Sequence, residues 1–322
     1  MTLRDNVSAW RRWRLRPRML VDVGEVSTAT EIMGAELAMP ILVAPVAVQR
    51  LAHADGEAGM ARAAAGAGTV MCVSTIATAT PSEIAAAAPG ARRWFQLYCF
   101  RERSVTRSLI EEATDSGYEA IVLTVDAPFL GRRERDLRSG FRVPPEIRVP
   151  SIAAALGEDR EITVEDMFSL LDPTLTWRDL EQLASESPLP ILVKGILTAE
   201  DAALAIEHGA AGVIVSNHGG RQLDGVAPSA EALPEVASAV GGKGTVLVDG
   251  GIRRGTDVVV ALALGADAVL VGRPALWGLA ADGERGASRV LELLRAELAL
   301  ALSLVGCPSP PAVTADHARA AP

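Results

Sequence analysis

Eight short apolar runs, separated by alanine-rich stretches of helical periodicity, constrain this chain more than any other feature. The runs fall at 40–46 (PILVAPV), 69–74 (TVMCVS), 92–98 (RRWFQLY), 120–126 (AIVLTVD), 190–195 (PILVKG), 212–217 (GVIVSN), 245–251 (TVLVDGG) and 268–273 (AVLVGR). Their apolarity is continuous rather than alternating, which predicts parallel strands buried on both faces. Stretches between them, such as 57–68, 104–117, 199–209 and 255–265, have helical spacing, and each closes on a glycine, the usual residue past a helix C-terminus. Strict strand–helix alternation gives an α/β protein with a parallel sheet, and eight units predict closure into a (β/α)₈ barrel. Such barrels take about 250 residues, so the 322 residues here leave room for excursions.

One barrel domain is expected over 1–306, with an N-terminal arm at 1–39. Its fourth strand is followed by a long connection, 127–189, expected to cap the barrel mouth. Residues 307–322, rich in proline and alanine without periodicity, read as a loose tail. A formal net charge of −9 argues against nucleic acid or an anionic membrane as partner. Only the arm is basic, through Arg4, Arg11, Arg12, Arg14, Arg16 and Arg18, and a solvated or subunit-contacting arm is expected ahead of a membrane-surface helix. No run of about 18 apolar residues is present to insert stably in a bilayer, and the N-terminus has no apolar signal core. Cys72, Cys99 and Cys307 lie far apart without a CxxC pair. A disulfide framework or metal site is therefore not expected, and a reducing cytoplasm is.

Catalytic groups of this fold sit where strands end, at the C-terminal face, and polar residues mark all eight expected ends. Ala47 follows the first strand, Ser74 ends the second, Gln96 and Tyr98 the third, and Thr124 and Asp126 the fourth. Lys194 ends the fifth; Ser216, His218 and Arg221 mark the sixth; Asp249 and Arg253 flank the seventh; Gly272 and Arg273 end the eighth. The glycines and arginines of "DGGIRRG" and "GR", including Gly250 and Gly251, suit a phosphate at the last two strands. His218 beside Arg221 suits a general base next to a guanidinium that grips a carboxylate, with Arg133 as a second cation and Asp126 orienting the imidazole. Lys194, on a buried strand, suits either a Schiff base of the aldolase kind or a positive charge set against a cofactor. Among smaller features, His53 reads as part of a turn and helix start, with Asp55 or Glu57 favouring the helix N-terminus. Cys99 reads as a small buried side chain, and Phe129 either lines the pocket or anchors its loop.

The motifs "RPRML" (16–20), "APVAVQRLAHADGE" (44–57), "WFQLY" (94–98), "LTVDAPFLGRRERDLRSGF" (123–141), "ILVKGI" (191–196), "SNHGGRQLDG" (216–225) and "VDGGIRRGTDVVVALALGADAVLVGRP" (248–274) carry a resemblance. From about Thr2 to Cys307 the chain resembles the FMN-dependent α-hydroxy-acid oxidases and dehydrogenases, which act on glycolate, lactate or mandelate. The resemblance implies that FMN is held near N5 by the Ala47 backbone and around its ring by Ser74, Gln96 and Thr124. Lys194 would sit near N1 and O2, with Ser216 also in contact. Asp249, Gly250, Gly251, Arg253, Gly272 and Arg273 would take the ribityl chain and phosphate. Tyr98, Arg133 and Arg221 would bind the carboxylate and hydroxyl of an (S)-2-hydroxy acid, and His218, backed by Asp126, would remove a proton. Oxygen or another acceptor would reoxidise the flavin, and a homo-oligomer, commonly a tetramer, is implied.

Two departures qualify the resemblance. The family begins with a further segment whose tyrosine reaches the substrate carboxylate, and this sequence starts after it. Ile76 stands where glycolate oxidases carry a tryptophan, which predicts a roomier pocket and a bulkier, aromatic 2-hydroxy acid. The readings set beside an oxidase are a quinone- or cytochrome-linked dehydrogenase, a Lys194 Schiff-base enzyme, and a flavin-binding barrel with impaired turnover.

Overall fold

The computed structural model describes residues 1–157 and 163–321. Eight parallel strands close into a barrel: β1 (Ile41–Val43), β2 (Val70–Ser74), β3 (Arg92–Leu97), β4 (Ala120–Thr124), β5 (Ile191–Ile196), β6 (Gly212–Val215), β7 (Thr245–Asp249) and β8 (Ala268–Val271), with β8 paired back to β1. The eight apolar runs are these strands. Leu42, Cys72, Trp94, Val122, Leu192 and Ile214 belong to the cluster that fills the interior. Their neighbours, such as Val43, Val73, Phe95 and Val193, pack outward under the helices. Burial on both faces is why the runs lack alternation. A hairpin, Thr30–Ile32 with Ala35–Leu37, contributes Ile32 and Leu37 to the interior cluster and stoppers the end of the barrel away from the strand C-termini.

The arm docks by one face. Its helix Thr2–Trp10 buries Asn6 and Trp10 against the loops after β6 and β7. Asn6 and Asn217 exchange side-chain hydrogen bonds of 2.7 and 2.8 Å, and the Trp10 indole donates to the Gly250 carbonyl at 2.8 Å. Gly251, at φ +86°, is obligatory here, because a Cβ would lie 1.8 Å from the Asn6 carbonyl oxygen. The arginines stay on the exposed side, Arg12 pairing with Glu231 and Arg16 donating to the carbonyl of Asp316.

The expectation of a loose tail is corrected. Ala318–Ala320 pairs antiparallel with Trp13–Leu15, and buried Cys307 meets His317 Nε2 at 3.3 Å. Such a short strand pairs at a sequence distance that no local periodicity records. Pro322, the last residue of that segment, lies outside the described residues.

The long connection carries four helices, Glu134–Ser139, Pro150–Leu156, Val164–Leu170 and Trp177–Glu186. Residues 158–162 of it lie outside the described residues. The helix Arg273–Val305 breaks at Asp282 and Gly283, where the Asp55 carboxylate accepts the Glu284 N–H at 2.9 Å. Asp55 makes no side-chain cap on the helix Gly56–Gly66, so its anionic charge serves a distant helix segment rather than its own. No helix among the described residues is long and apolar enough to cross a membrane.

Candidate active site

The C-terminal ends of the strands surround a cavity of about 400 Å³, the size of a small-molecule site. Ala47, Ser74, Gln96, Tyr98, Thr124, Arg133, Lys194, His218, Arg221, Asp249, Gly250, Gly251, Arg253, Gly272 and Arg273 all line it. Asp126 and Ser216 stand behind that wall and act through its members. The ends of all eight strands thus converge on one space, as the spacing of the strand-end residues predicts.

Ser216 is the junction of a buried network. Its Oγ accepts from Lys194 Nζ at 2.8 Å and from the His218 N–H at 3.0 Å, and donates to Asp249 Oδ1 at 2.7 Å. Asp249 Oδ2 lies 3.2 Å from the Lys194 ammonium. Burial pulls the Lys194 ammonium towards neutrality, but the Asp249 and Asp126 carboxylates outweigh it and hold its pKa above the ordinary lysine value. A lysine paired in this way suits the fixed positive charge set against a cofactor rather than the Schiff base of the aldolase alternative.

His218 Nδ1 lies 2.9 Å from Asp126 Oδ1. Burial pushes the Asp126 carboxyl up, but the His218 hydrogen bond and the Lys194 charge prevail and keep it below the usual carboxylate range. An ionised Asp126 favours a proton on Nδ1, which leaves Nε2, without a partner among the described residues, as the ring atom that can exchange a proton with a bound ligand. The pair depends on Gly195. At φ +113° and within a register irregularity of β5, it leaves space where a Cβ would lie 2.7 Å from the Asp126 Cβ. His218 itself sits at φ +58° and Val48 at φ +47°, so two of the four non-glycine residues in left-handed conformation among the described residues border the cavity. Backbone strain of this kind collects at functional sites.

Two cations, Arg133 and Arg221, line the same cavity as His218. Burial, then the charge of Arg221, brings the Arg133 guanidinium down to about 10, so two like charges share a space that an anion would relieve. Tyr98 is pushed up to about 12 by burial, with the Asp126 charge adding to it, and its phenol stays a hydrogen-bond donor throughout the neutral range. In consequence Tyr98→Phe should weaken substrate binding yet leave the alkaline limb of the pH–rate profile below about pH 10 in place. Movement of that limb in the variant would show that the Tyr98 phenol titrates there.

The residues fit the cofactor that the motifs imply. Gln96 Nε2 and Thr124 Oγ1 are buried on the cavity wall with no hydrogen-bond partner among the described residues. Ser74 Oγ and the Thr75 N–H occupy Gln96 Oε1, at 3.2 and 3.3 Å, and so turn its amide nitrogen to the cavity. Unpaired buried groups cost about 1–3 kcal/mol each, which a polar ring system in the cavity would recover. At the other end the helix from Arg273 begins without a side-chain cap, between Arg253 and Arg273, a ready anion site.

Two supporting residues have roles that the sequence did not show: Gln222 gave no signal of its own, and Glu57 read only as favouring a helix N-terminus. Gln222 donates to the carbonyls of Asp126 and Phe129, at 3.1 and 2.9 Å, and ties the loop after β4 to the loop after β6. Buried Glu57 accepts from the N–H groups of Gln49 and Thr78 and so braces the loop bearing Ala47. Phe129 is 71% exposed and does not line the cavity, while Phe141 and Phe168 of the same connection do. Cys99 is buried and off the cavity wall.

A strand-end cavity lined by an imidazole, two arginines, a buried ammonium and an uncapped helix start between two further arginines has the chemistry to hold a phosphorylated cofactor against a small acid. The chain matches the FMN-dependent dehydrogenase family over residues 1–320. It is 50% identical over 318 residues to L-lactate oxidase of Nostoc sp., covering 95% of this chain and 87% of that protein. It is 46% identical to human 2-hydroxyacid oxidase 1, covering 95% and 85% of the two chains. Among solved structures, mandelate oxidase with benzoyl-formic acid superposes with TM-score 0.89 at 45% identity, covering 99% and 89%. (S)-Mandelate dehydrogenase does so with TM-score 0.91 at 36% identity, covering 99% and 91%. The chain therefore belongs to the FMN-dependent dehydrogenase family; it is a flavoenzyme of 2-hydroxy-acid oxidation and its cofactor is FMN.

Proposed function

We propose that this enzyme is an oxidase of (S)-2-hydroxy acids with a bulky apolar substituent, passing electrons from the reduced flavin to oxygen. The observation that carries the reading is the His218–Asp126 pair, its free Nε2 on the same cavity wall as Arg133 and Arg221. The arginines hold the carboxylate, Tyr98 donates to a substrate oxygen, and His218 Nε2 takes up the proton released as the alcohol becomes a ketone. FMN supplies the two-electron acceptor; Lys194 supplies the fixed positive charge beside it. Ser74, Gln96 and Thr124 would contact the ring, with Ser216 behind the wall holding Lys194 and Asp249, and Asp249, Gly250, Gly251, Arg253, Gly272 and Arg273 would take the ribityl phosphate. The intact base, arginines and Asp126 count against impaired turnover.

The substituent is argued from the rest of the lining. Ile76, Phe141, Val143, Val164 and Phe168 make that wall apolar, with Phe168 packed against Tyr98 at 6.5 Å between ring centres. Burial of an aryl group there gains about 25 cal/mol per Å² of apolar area; glycolate has no such group. Reduction of the bound flavin should therefore be faster with mandelate than with lactate, and slowest with glycolate, in stopped-flow measurements. Glycolate as the fastest substrate would overturn the substituent assignment and leave the reaction class standing.

A dehydrogenase reading has one observation in its favour: Phe129, Leu130 and Leu137 are exposed beside the mouth, a surface that a quinone or cytochrome acceptor could use. Hydrogen peroxide formed in step with the keto acid supports the oxidase; slow reoxidation in air with fast turnover on a quinone supports the dehydrogenase. Relatives named as oxidases favour the former. Three unpaired, buried cysteines suit a reducing cytoplasm. The exposed Leu293, Leu300 and Leu304 on the C-terminal helix offer a homo-oligomer, a tetramer by family resemblance, an apolar face.

A further inference from the structure

Trp277 follows Arg273 by one helical turn and is 56% exposed. Its ring underlies Arg253, whose Cζ lies 5.1 Å from the ring centre. Arg253 lines the cavity, its backbone N–H donating to Asp257 and its Nη1 to the Ile252 carbonyl at 2.7 Å. It forms no ion pair with a side chain among the described residues. Arg273 stands in the same wall, its Nη2 donating to the Gly219 carbonyl at 3.0 Å. Burial and the neighbouring charge of Arg253 together disfavour the protonated Arg273. With two guanidinium groups repelling across an anion site, Arg253, tied only to the carbonyl of its own neighbour Ile252 while Arg273 is tied to the loop after β6, would swing to solvent. An aromatic face on its outer side opposes that motion.

We propose that Trp277 is a positioning residue for the FMN phosphate: its indole face keeps the Arg253 guanidinium turned into the cavity, so the preference for FMN over riboflavin depends on an aromatic ring at position 277. The inference rests on the placement of the phosphate between Arg253 and Arg273. It goes beyond the roles that the motifs imply, none of which involves position 277.

The test is flavin affinity, measured on the full chain by release and rebinding of FMN and of riboflavin, which lacks the phosphate. Trp277→Leu should weaken FMN by about tenfold and riboflavin by less than roughly twofold, the size of a partly desolvated cation–π contact. Trp277→Phe should restore most of the loss. Arg253→Ala should weaken FMN further, and adding Trp277→Leu to it should change nothing more. Equal weakening of both flavins, or unchanged FMN affinity in Trp277→Leu while Arg253→Ala weakens it, overturns the positioning role. Unchanged FMN affinity in Arg253→Ala overturns the phosphate placement itself, and the inference with it.

Discussion

His218→Asn should keep FMN bound while slowing its reduction by a 2-hydroxy acid by roughly 10²- to 10⁴-fold, the ordinary contribution of a positioned general base. Asparagine is the right substitution because position 218 has φ +58°, and asparagine tolerates the left-handed region better than alanine does. The side chain touches the protein chiefly at Asp126, while the backbone N–H of residue 218 keeps its bond to Ser216. The flavin wall is therefore left in place, and the loss should fall on reduction rather than on cofactor affinity. Asp126→Asn should slow reduction as well, because an amide can donate to Nδ1 and favour the tautomer that puts the proton on Nε2. A His218→Asn protein that is reduced at the wild-type rate would remove the imidazole from the role of base.

Lys194→Met should be the most destabilising single change in the site, by about 3–5 kcal/mol in urea unfolding of the full chain. Lys194 is 4% exposed and Asp249 7%. Methionine fills the volume of the lysine stem but leaves the Asp249 carboxylate buried with the Ser216 hydroxyl, at 2.7 Å, as its one remaining side-chain hydrogen-bond donor among the described residues. The sign is checked by the double variant. Lys194→Met with Asp249→Leu removes the stranded charge, and part of the lost stability should return. A Lys194→Met protein as stable as the wild type would mean that the buried Lys194–Asp249 ion pair does not hold the fold as described. There is a pH consequence through Asp126, whose carboxyl is held below its ordinary range. A depressed carboxyl contributes stability above its unfolded pKa of about 3.9. That contribution is lost as pH falls through the lower folded value, so it matters only in acid.

The barrel was legible because parallel strands buried on both faces leave uninterrupted apolar runs, and because the strand ends place Ser74, Gln96, Thr124, Lys194 and Asp249 next to those runs in sequence. The partners that hold these groups were not legible, since each acts across a long sequence distance. Asn6 reaches Asn217, Gln222 reaches the loop after β4, and Ala318–Ala320 reaches Trp13–Leu15. Glycines were legible as glycines but not as to cause. Gly251 reads as a phosphate-approaching residue, yet its missing side chain makes room for the Asn6 backbone. Gly195, inside a strand, marks the irregularity that admits Asp126. The aromatic wall was only partly visible: Ile76 suggested space, whereas Phe141 and Phe168 fold into the cavity from a connection whose apolar residues carry no period.

Anaerobic titration of the purified holoenzyme with (S)-mandelate tests the central claim most directly. The structure predicts stoichiometric bleaching of the bound FMN with matching formation of the 2-oxo acid, and no bleaching by the (R)-enantiomer. Bound FMN that stays oxidised with mandelate, lactate and glycolate alike would contradict the assignment of His218, Arg133 and Arg221 to the oxidation of a 2-hydroxy acid.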